Sequence, residues 1–263
     1  MPVRHATRFT ALSMALVFFS THALAQTTQK PYEPQVGQAG KDVVWVPTPQ
    51  VLVEKMLDMG KVTPQDYVID LGSGDGRTVI TVAKRGATAM GVEYNPDMVA
   101  LAQKNAKEAG VTAKATFVKA DLFESDFSKA QVITMFLLPS INMKLRPKLL
   151  DMRPGTRIVT NSFTMEDWEA DQSETVTDDC TSWCTAHLWI VPAKVEGTWQ
   201  MAQNTLTLKQ AFQNITGTLG SATVTGKLRG SEIEFTAGGQ KYMATVEGNA
   251  MKGSGGTWSA TRK

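Results

Sequence analysis

The chain has 263 residues, 42% of them hydrophobic and 20% charged, with 27 basic residues against 25 acidic ones. That length and balance exclude a largely disordered chain and a multi-span membrane protein, and they leave room for one large domain or a medium one with an appendage. Arg4 and Arg8 are the only charged residues before Gln26, so 25 basic residues face 25 acidic ones beyond it; nucleic-acid binding, which draws on a basic face, gets no support from net charge.

Residues 1–25 read as a secretory signal peptide: Arg4 and Arg8 precede an apolar run from Ala11 to Phe19, and Ala23 and Ala25 put small residues where a signal peptidase reads. The run falls short of the roughly 20 residues that a bilayer span needs. Cleavage before Gln26 would leave an exported chain, periplasmic or secreted, with no stable membrane span; a misread signal would leave it cytoplasmic. Residues 26–42 carry Pro31, Pro34, Gly37 and Gly40 without an apolar period and read as a flexible leader.

Thr48-Pro49 predicts the start of a helix that runs to Met59, with Thr48 as its cap and Gly60 as its stop. The β-branched run Tyr67–Leu71 is then broken by Gly72, Gly74 and Gly76, which reads as a buried strand feeding a tight loop and a helix N-terminus. A helix over Thr78–Arg85, a strand over Ala89–Glu93, a helix from Asn95-Pro96 to Ala109 and a strand over Ala115–Ala120 continue the alternation. A buried strand follows over Gln131–Leu138, then a helix over Ile141–Met152 interrupted or bent near Pro147. Strands are expected at Thr156–Asn161, near Glu174–Thr177 and over His187–Val195. Residues 43–195 thus read as an α/β domain with a doubly wound, mainly parallel, seven-strand Rossmann-like sheet. In residues 196–263 the pattern changes to short alternating runs punctuated by glycines, which predicts a small all-β antiparallel meander or barrel. Trp199, Tyr242 and Trp258 read as its core or rim aromatics.

His187 is the only histidine beyond residue 25, which excludes a multi-histidine metal site; no metal is expected, and His187 itself reads as structural. Cys180 and Cys184 suit a local disulfide in an exported chain and two free thiols in a reducing compartment. The loop Gly72-Ser73-Gly74-Asp75-Gly76 lacks the Gly-Lys-Ser/Thr ending of a phosphate loop, and Arg77 stands where a dinucleotide fingerprint requires glycine.

With Asp70 ahead of it, the loop resembles the Asp-x-Gly-x-Gly-x-Gly motif of class I S-adenosylmethionine-dependent methyltransferases. That resemblance spans about residues 43–195 and implies S-adenosyl-L-methionine as cofactor, a zwitterion with a sulfonium and no pyrophosphate. It implies Gly72, Ser73, Gly74 and Gly76 as the close-approaching loop, Asp70 beneath it, Glu93 at the ribose hydroxyls, and Asp121 at the adenine amine with Leu122 beside the ring. Val46-Pro47-Thr48-Pro49, the glycine loop and Pro154-Gly155-Thr156-Arg157-Ile158-Val159 further resemble the seven-strand protein-lysine methyltransferases, including those that modify mitochondrial ATP synthase. The departure is Phe136-Leu137-Leu138-Pro139, which replaces the Asn/Asp-Pro-Pro-aromatic signature of many amino-group methyltransferases. The resemblance implies methyl transfer to a protein amine, with Phe136, Pro139, Asn142, Asn161 and Phe163 facing the acceptor and no general base assigned. The alternative is a non-catalytic module that binds S-adenosylmethionine or a nucleoside, with the β domain as its interaction surface; the β domain's partner is left open.

Overall fold

The computed structural model describes residues 1–3 and 32–263. The signal-like stretch beyond its first three residues, and the leader up to Pro31, lie outside the described residues.

Helix α1 (Gln50–Met59) begins after Pro49 with no side-chain cap. Thr48, expected to cap it, is instead buried, and its hydroxyl accepts a hydrogen bond from Asn161 Nδ2 at 3.3 Å. Gly60 stays right-handed at φ −68°, and the left-handed turn out of α1 falls on Lys61. The chain continues through β1 (Tyr67–Leu71), α2 (Arg77–Lys84), β2 (Thr88–Glu93), α3 (Pro96–Glu108), β3 (Ala115–Lys119) and β4 (Val132–Met135). It then forms α4 (Pro139–Leu150), β5 (Arg157–Asn161), β6 (Gln172–Thr175) and β7 (Thr185–Ile190).

These strands make one seven-stranded sheet in the order β3-β2-β1-β4-β5-β7-β6. From β3 to β5 the pairs are parallel, while β7 runs antiparallel to both β5 and β6. The chain winds outward from β1 to β3 and then from β4 to β5, so the switch point lies between β1 and β4, where open α/β sheets bind ligands beyond the carboxyl ends of their strands. Helices cover both faces, which is why β1 and β4 are apolar on both sides. Val68 and Val132 pack with Val53, Val79 and Val99 of α1 to α3. Ile69, Leu71, Ile133 and Met135 pack with Ile141, Leu145 and Leu149 of α4. Burial of each such aliphatic side chain contributes about 1.5–3 kcal/mol.

Three elements differ from the sequence expectation. β4 ends at Met135 rather than Leu138, because Phe136, Leu137 and Leu138 leave the sheet to line a cleft. α4 starts at Pro139, whose fixed φ suits a first helical turn, and continues as one helix that contains Pro147. The last two strands lie at Gln172–Thr175 and Thr185–Ile190, earlier than the composition suggests.

Beyond β7 come β8 (Gly197–Met201), β9 (Asn204–Ala211), β10 (Asn214–Leu219), β11 (Ala222–Arg229), β12 (Glu232–Ala237), β13 (Gln240–Glu247), β14 (Ala250–Gly253) and β15 (Ser259–Arg262). They close into an eight-stranded antiparallel barrel in which β15 pairs with β8 and β9 with β10. Residues of β12 alternate strictly between exposed and buried, and Trp199, Leu208, Ile233, Phe235, Val246 and Met251 fill the interior. Tyr242 and Trp258 pack against that core as partly buried rings.

The barrel joins the sheet at the edge away from the glycine loop. Ile190 at the end of β7 pairs with Arg157 at the start of β5, so the linker leaves from the amino-terminal ends of the parallel strands. Gln210 ties the linker down, donating to Ala193 O at 2.9 Å and accepting from Val195 N at 2.7 Å. Trp168 stacks on Phe212 of the β9–β10 turn with ring centroids 5.8 Å apart. Residues 33–263 form one compact unit. Among the described residues no helix is long and apolar enough to cross a membrane.

Candidate active site

A cleft of about 180 Å³ opens at the carboxyl ends of β1, β2 and β4. Its floor is the glycine loop. Gly72 N and Ser73 N both donate to Val92 O, at 2.9 and 3.1 Å, which ties the loop to the end of β2. Glu93, the last residue of β2, accepts from Gly74 N at 3.0 Å through one carboxylate oxygen and from Asn95 N at 2.9 Å through the other. Its carboxylate is therefore fixed in orientation, and its remaining lone pairs can still accept from a ligand.

Gly74 sits at φ 51°, and a Cβ there would stand 2.6 Å from Trp45 Nε1, so the loop is close-packed as well as left-handed. Gly76 differs from the expectation: it does not line the cleft. It sits at φ 83° as the N-cap of α2, where a Cβ would meet Ala102 and the Phe117 ring at 2.8 Å, so it lets α2 approach α3 and β3. Arg77 forks onto Asp75, with Nη2 2.6 Å from Oδ2, and donates through Nη1 to Thr48 O at 2.9 Å. The residue that disqualifies a dinucleotide fingerprint thus clamps the loop to the segment before α1.

Asp70 lies beneath the loop, lines the cleft and is buried. Burial pushes its carboxyl up to about 7; the charges of Asp75 and Glu93 add to that, and the Thr134 hydroxyl, which donates to Oδ1 at 2.6 Å, opposes it. Ser73 also lines the cleft, but its Oγ is buried toward Gly91 of β2 without a hydrogen-bond partner. Two acids suit a ligand that brings an ammonium and hydroxyl groups.

Asp121 and Leu122 also line the cleft. Asp121 Oδ2 is paired with Lys41 Nζ at 2.5 Å and Oδ1 accepts from Phe123 N at 2.9 Å. The lysine hydrogen bond, then that backbone N–H, hold this carboxyl below its ordinary value. Lys41 in turn lies over the Tyr94 ring, 4.9 Å from its centroid. The part of the leader from Gln38 to Asp42 is consequently a wall of the cleft rather than a flexible lead-in. A turn at Gly37 and the pair Gly37 N to Trp45 O and Trp45 N to Gln38 O double the chain back and hold it there.

The lining that follows β4 and β5 and precedes β7 is apolar: Phe136, Leu137, Leu138, Ile141, Phe163 and Trp183. Of the acceptor-facing candidates, Phe136 and Phe163 are here, and Pro139, Asn142 and Asn161 are not. Pro139 is taken into the first turn of α4. Asn142 is fully buried and donates to Thr164 O at 3.2 Å, bracing the turn after β5. Asn161 is fully buried, with Nδ2 donating to Thr48 Oγ1 and Oδ1 without a partner. His187 also lies outside the lining; its Nδ1 is 2.8 Å from Ser173 Oγ, and burial lowers its pKa. Among the described residues no group of three His, Cys, Asp or Glu side chains is placed to hold a metal.

Sequence reasoning missed Trp45, Lys41, Tyr94 and Trp183. Only Trp183 carried a local signal, an aromatic residue inside a five-residue loop bounded by the two cysteines. Those cysteines are bonded, with Cα atoms 5.8 Å apart.

Comparison with known proteins agrees with this geometry. The family model described as the ANTKMT methyltransferase domain matches residues 70–172. A protein-lysine N-methyltransferase of Saccharolobus islandicus is 44% identical over 139 residues, covering 52% of this chain and 86% of that protein. The adenine nucleotide translocase lysine N-methyltransferase of Mus musculus is 35% identical over 119 residues, 44% of this chain and 52% of that protein; against this second relative the chain spans about half of the other's length. Among solved structures, an RNA methyltransferase from Salinibacter ruber in complex with S-adenosyl-L-homocysteine is 43% identical, with a TM-score of 0.54 over 57% of this chain and 96% of that one.

Proposed function

The chain belongs to the seven-strand protein-lysine methyltransferase family, and from that membership we propose that it transfers a methyl group from S-adenosyl-L-methionine to the side-chain amine of a protein lysine. The observation that carries the reading is a single cleft lined by two acids, Asp70 within β1 and Glu93 at the end of β2, and by three rings, Phe136 after β4, Phe163 after β5 and Trp183 before β7. Bound there, the cofactor supplies an electrophilic methyl group on a sulfonium.

The residues fit that ligand. Asp70 takes the ammonium of the methionyl moiety, Glu93 accepts from the ribose hydroxyls, and the loop through Gly72, Ser73 and Gly74 lets the backbone approach without side chains in the way. Asp121 and Leu122 form the base end, with Lys41 closing over Asp121. A lysine acceptor must lose its proton before it attacks, and the aliphatic lining of Leu137, Leu138 and Ile141 disfavours its charged form. The same lining excludes water and holds amine and methyl group at near-attack distance, which supplies much of the rate in a displacement that needs little other chemistry. No lining residue is assigned as a general base.

The test is label transfer from methyl-labelled cofactor into a protein extract and, in parallel, into total RNA. The RNA arm matters because the Salinibacter ruber relative is an RNA methyltransferase. Label released as methyl-lysine on hydrolysis supports the reading; label in nucleosides alone overturns it, and cofactor binding without turnover favours a non-catalytic binding module.

We also place the chain outside the cytosol, periplasmic or secreted. The arginine-led apolar run before Ala25 and the bonded pair Cys180–Cys184 support that location. Amino-terminal sequencing of protein recovered from the cell envelope or medium should begin near Gln26; a full-length chain in the cytosolic fraction would contradict it.

A further inference from the structure

The β6–β7 loop is not absorbed by cofactor binding. β7 runs antiparallel to β5, with Ala186 opposite Asn161, so the loop that precedes β7 is delivered to the carboxyl edge of the sheet, where the cleft opens. Its base is closed by Val176 N donating to Cys184 O at 2.9 Å, and its tip by the Cys180–Cys184 bond. Within or beside that crosslink Asp179 and Trp183 hold left-handed backbone, φ 54° and 58°, without being glycine. Non-glycine residues keep such conformations only where surrounding structure fixes them.

What the loop presents is a ring. Trp183 lies 5.1 Å from the Phe163 ring and 6.0 Å from the Phe136 ring, centroid to centroid, and those two are 5.9 Å from each other. The three come from three separate segments: the end of β4, the turn after β5 and the β6–β7 loop. All three line the cleft, and Trp183 remains 44% exposed. An aromatic triad built from distant segments and left open at a cleft mouth is suited to an aliphatic cation, which gains from the negative faces of the rings. Exposed Asp178 and Asp179 give the same loop a negative character.

We propose that the loop closed by Cys180 and Cys184 is an acceptor-recognition element, in which Trp183 completes a three-ring port with Phe136 and Phe163 that receives the aliphatic stem and ammonium head of the substrate lysine. The proposal rests on the reading of the chain as a lysine methyltransferase. Trp183 is a specificity residue that touches the acceptor; the two cysteines act through it as positioning residues. Cofactor affinity is expected to be independent of all three, because the acids that hold the cofactor belong to β1 and β2 whereas the loop precedes β7, three strands along the sheet from β1.

The experiment compares wild type with Trp183→Ala, Trp183→Phe and the double variant Cys180→Ser/Cys184→Ser. Cofactor affinity is measured by calorimetry, and kcat and KM on a lysine peptide. Binding of Nα-acetyl-Nε-trimethyl-lysine amide is followed by indole fluorescence, against the neutral analogue in which a tert-butyl group replaces the trimethylammonium. Trp183→Ala is expected to raise acceptor KM by about tenfold and to lower kcat by a smaller factor, with cofactor affinity within about twofold of wild type. Trp183→Phe should recover most of that loss, and the double cysteine variant should move KM in the same direction by a smaller factor. The trimethylammonium ligand should quench wild type more than the neutral one, and the difference should vanish in Trp183→Ala.

Unchanged KM in Trp183→Ala, a parallel loss of cofactor affinity, or equal binding of the charged and neutral ligands would overturn the port. Unchanged KM in the double cysteine variant would overturn the positioning role of the disulfide. Should wild type methylate no lysine yet bind the trimethyl ligand through Trp183, the port stands and the reaction assignment falls.

Discussion

The central sheet strands β1 and β4 are buried on both faces while the barrel strand β12 alternates between buried and exposed, and the two regions bury different numbers of polar groups. In the barrel the core cluster is apolar throughout, and the buried polar residue it contributes, Gln213, lies in the β9–β10 turn, where it donates to Glu169 O at 2.9 Å and leaves Oε1 without a partner. In the α/β region Asp70, Ser73, Thr134, Asn142 and Asn161 are all buried, three of them with a side-chain atom that has no partner. Burying such groups costs stability unless something else recovers it. The barrel interior is occupied by apolar side chains, whereas the cleft forms where parallel strands end, backbone leaves the sheet and polar atoms gather. None of the residues lining the cleft belongs to the barrel.

That contrast can be broken first from the barrel side. Phe235 is buried in the barrel core against Tyr242 and Trp258. Phe235→Ala should destabilise the protein by about 3–5 kcal/mol. Below its melting temperature it should leave cofactor affinity unchanged; chemical denaturation and calorimetry together check both halves, and a coupled loss of affinity would join the two regions.

Gly74→Arg tests the other side. The side chain would collide with Trp45 in a left-handed position, so cofactor affinity should fall by about 100-fold or more, about 2.7 kcal/mol, while the melting transition stays cooperative.

Asp70→Asn should separate stability from binding. The folded chain holds this carboxyl at about 7, above its unfolded value, so it keeps a proton that the unfolded chain releases. Stability of the cofactor-free protein therefore falls as pH rises from about 4 to about 7, where the buried group ionises. The amide can still accept from Thr134 and cannot ionise, so the variant should melt higher than wild type at pH 8 and no higher at pH 4. Its cofactor affinity should drop about tenfold at pH 8. Wild-type affinity itself should rise from pH 6 to pH 8 as Asp70 becomes able to meet an ammonium. The smallest effect is expected from Lys41→Ala, since the pair with Asp121 is solvent-exposed: a change in cofactor affinity within about threefold, reduced further by salt.

The parts of this structure that follow local chemistry were legible in the sequence. Asn95-Pro96 starts α3 with the Asn95 side chain accepting from Asp97 N, and the glycine-punctuated runs after Gly197 are barrel strands. The glycine loop, Glu93, Asp121 and Leu122 were found because each ends or follows a strand of a parallel sheet, and the structure brings them to one cleft. What escaped depends on long-range packing. Thr48 looks like a cap until Asn161, 113 positions away, takes its hydroxyl. Asn142 and Asn161 look like acceptor residues by position but are fully buried, with each Nδ2 donating inside the fold. Gln38 to Asp42 has the composition of a leader, and only the turn at Gly37 and the reach of Lys41 to Asp121 make it a wall.

The most direct test is calorimetric titration of S-adenosyl-L-methionine into wild type and Gly74→Arg under identical conditions. The expected result is one site per chain in wild type and no measurable heat in a Gly74→Arg protein that still unfolds cooperatively. No binding to wild type, or equal binding to both, would contradict the assignment of the cofactor to this loop.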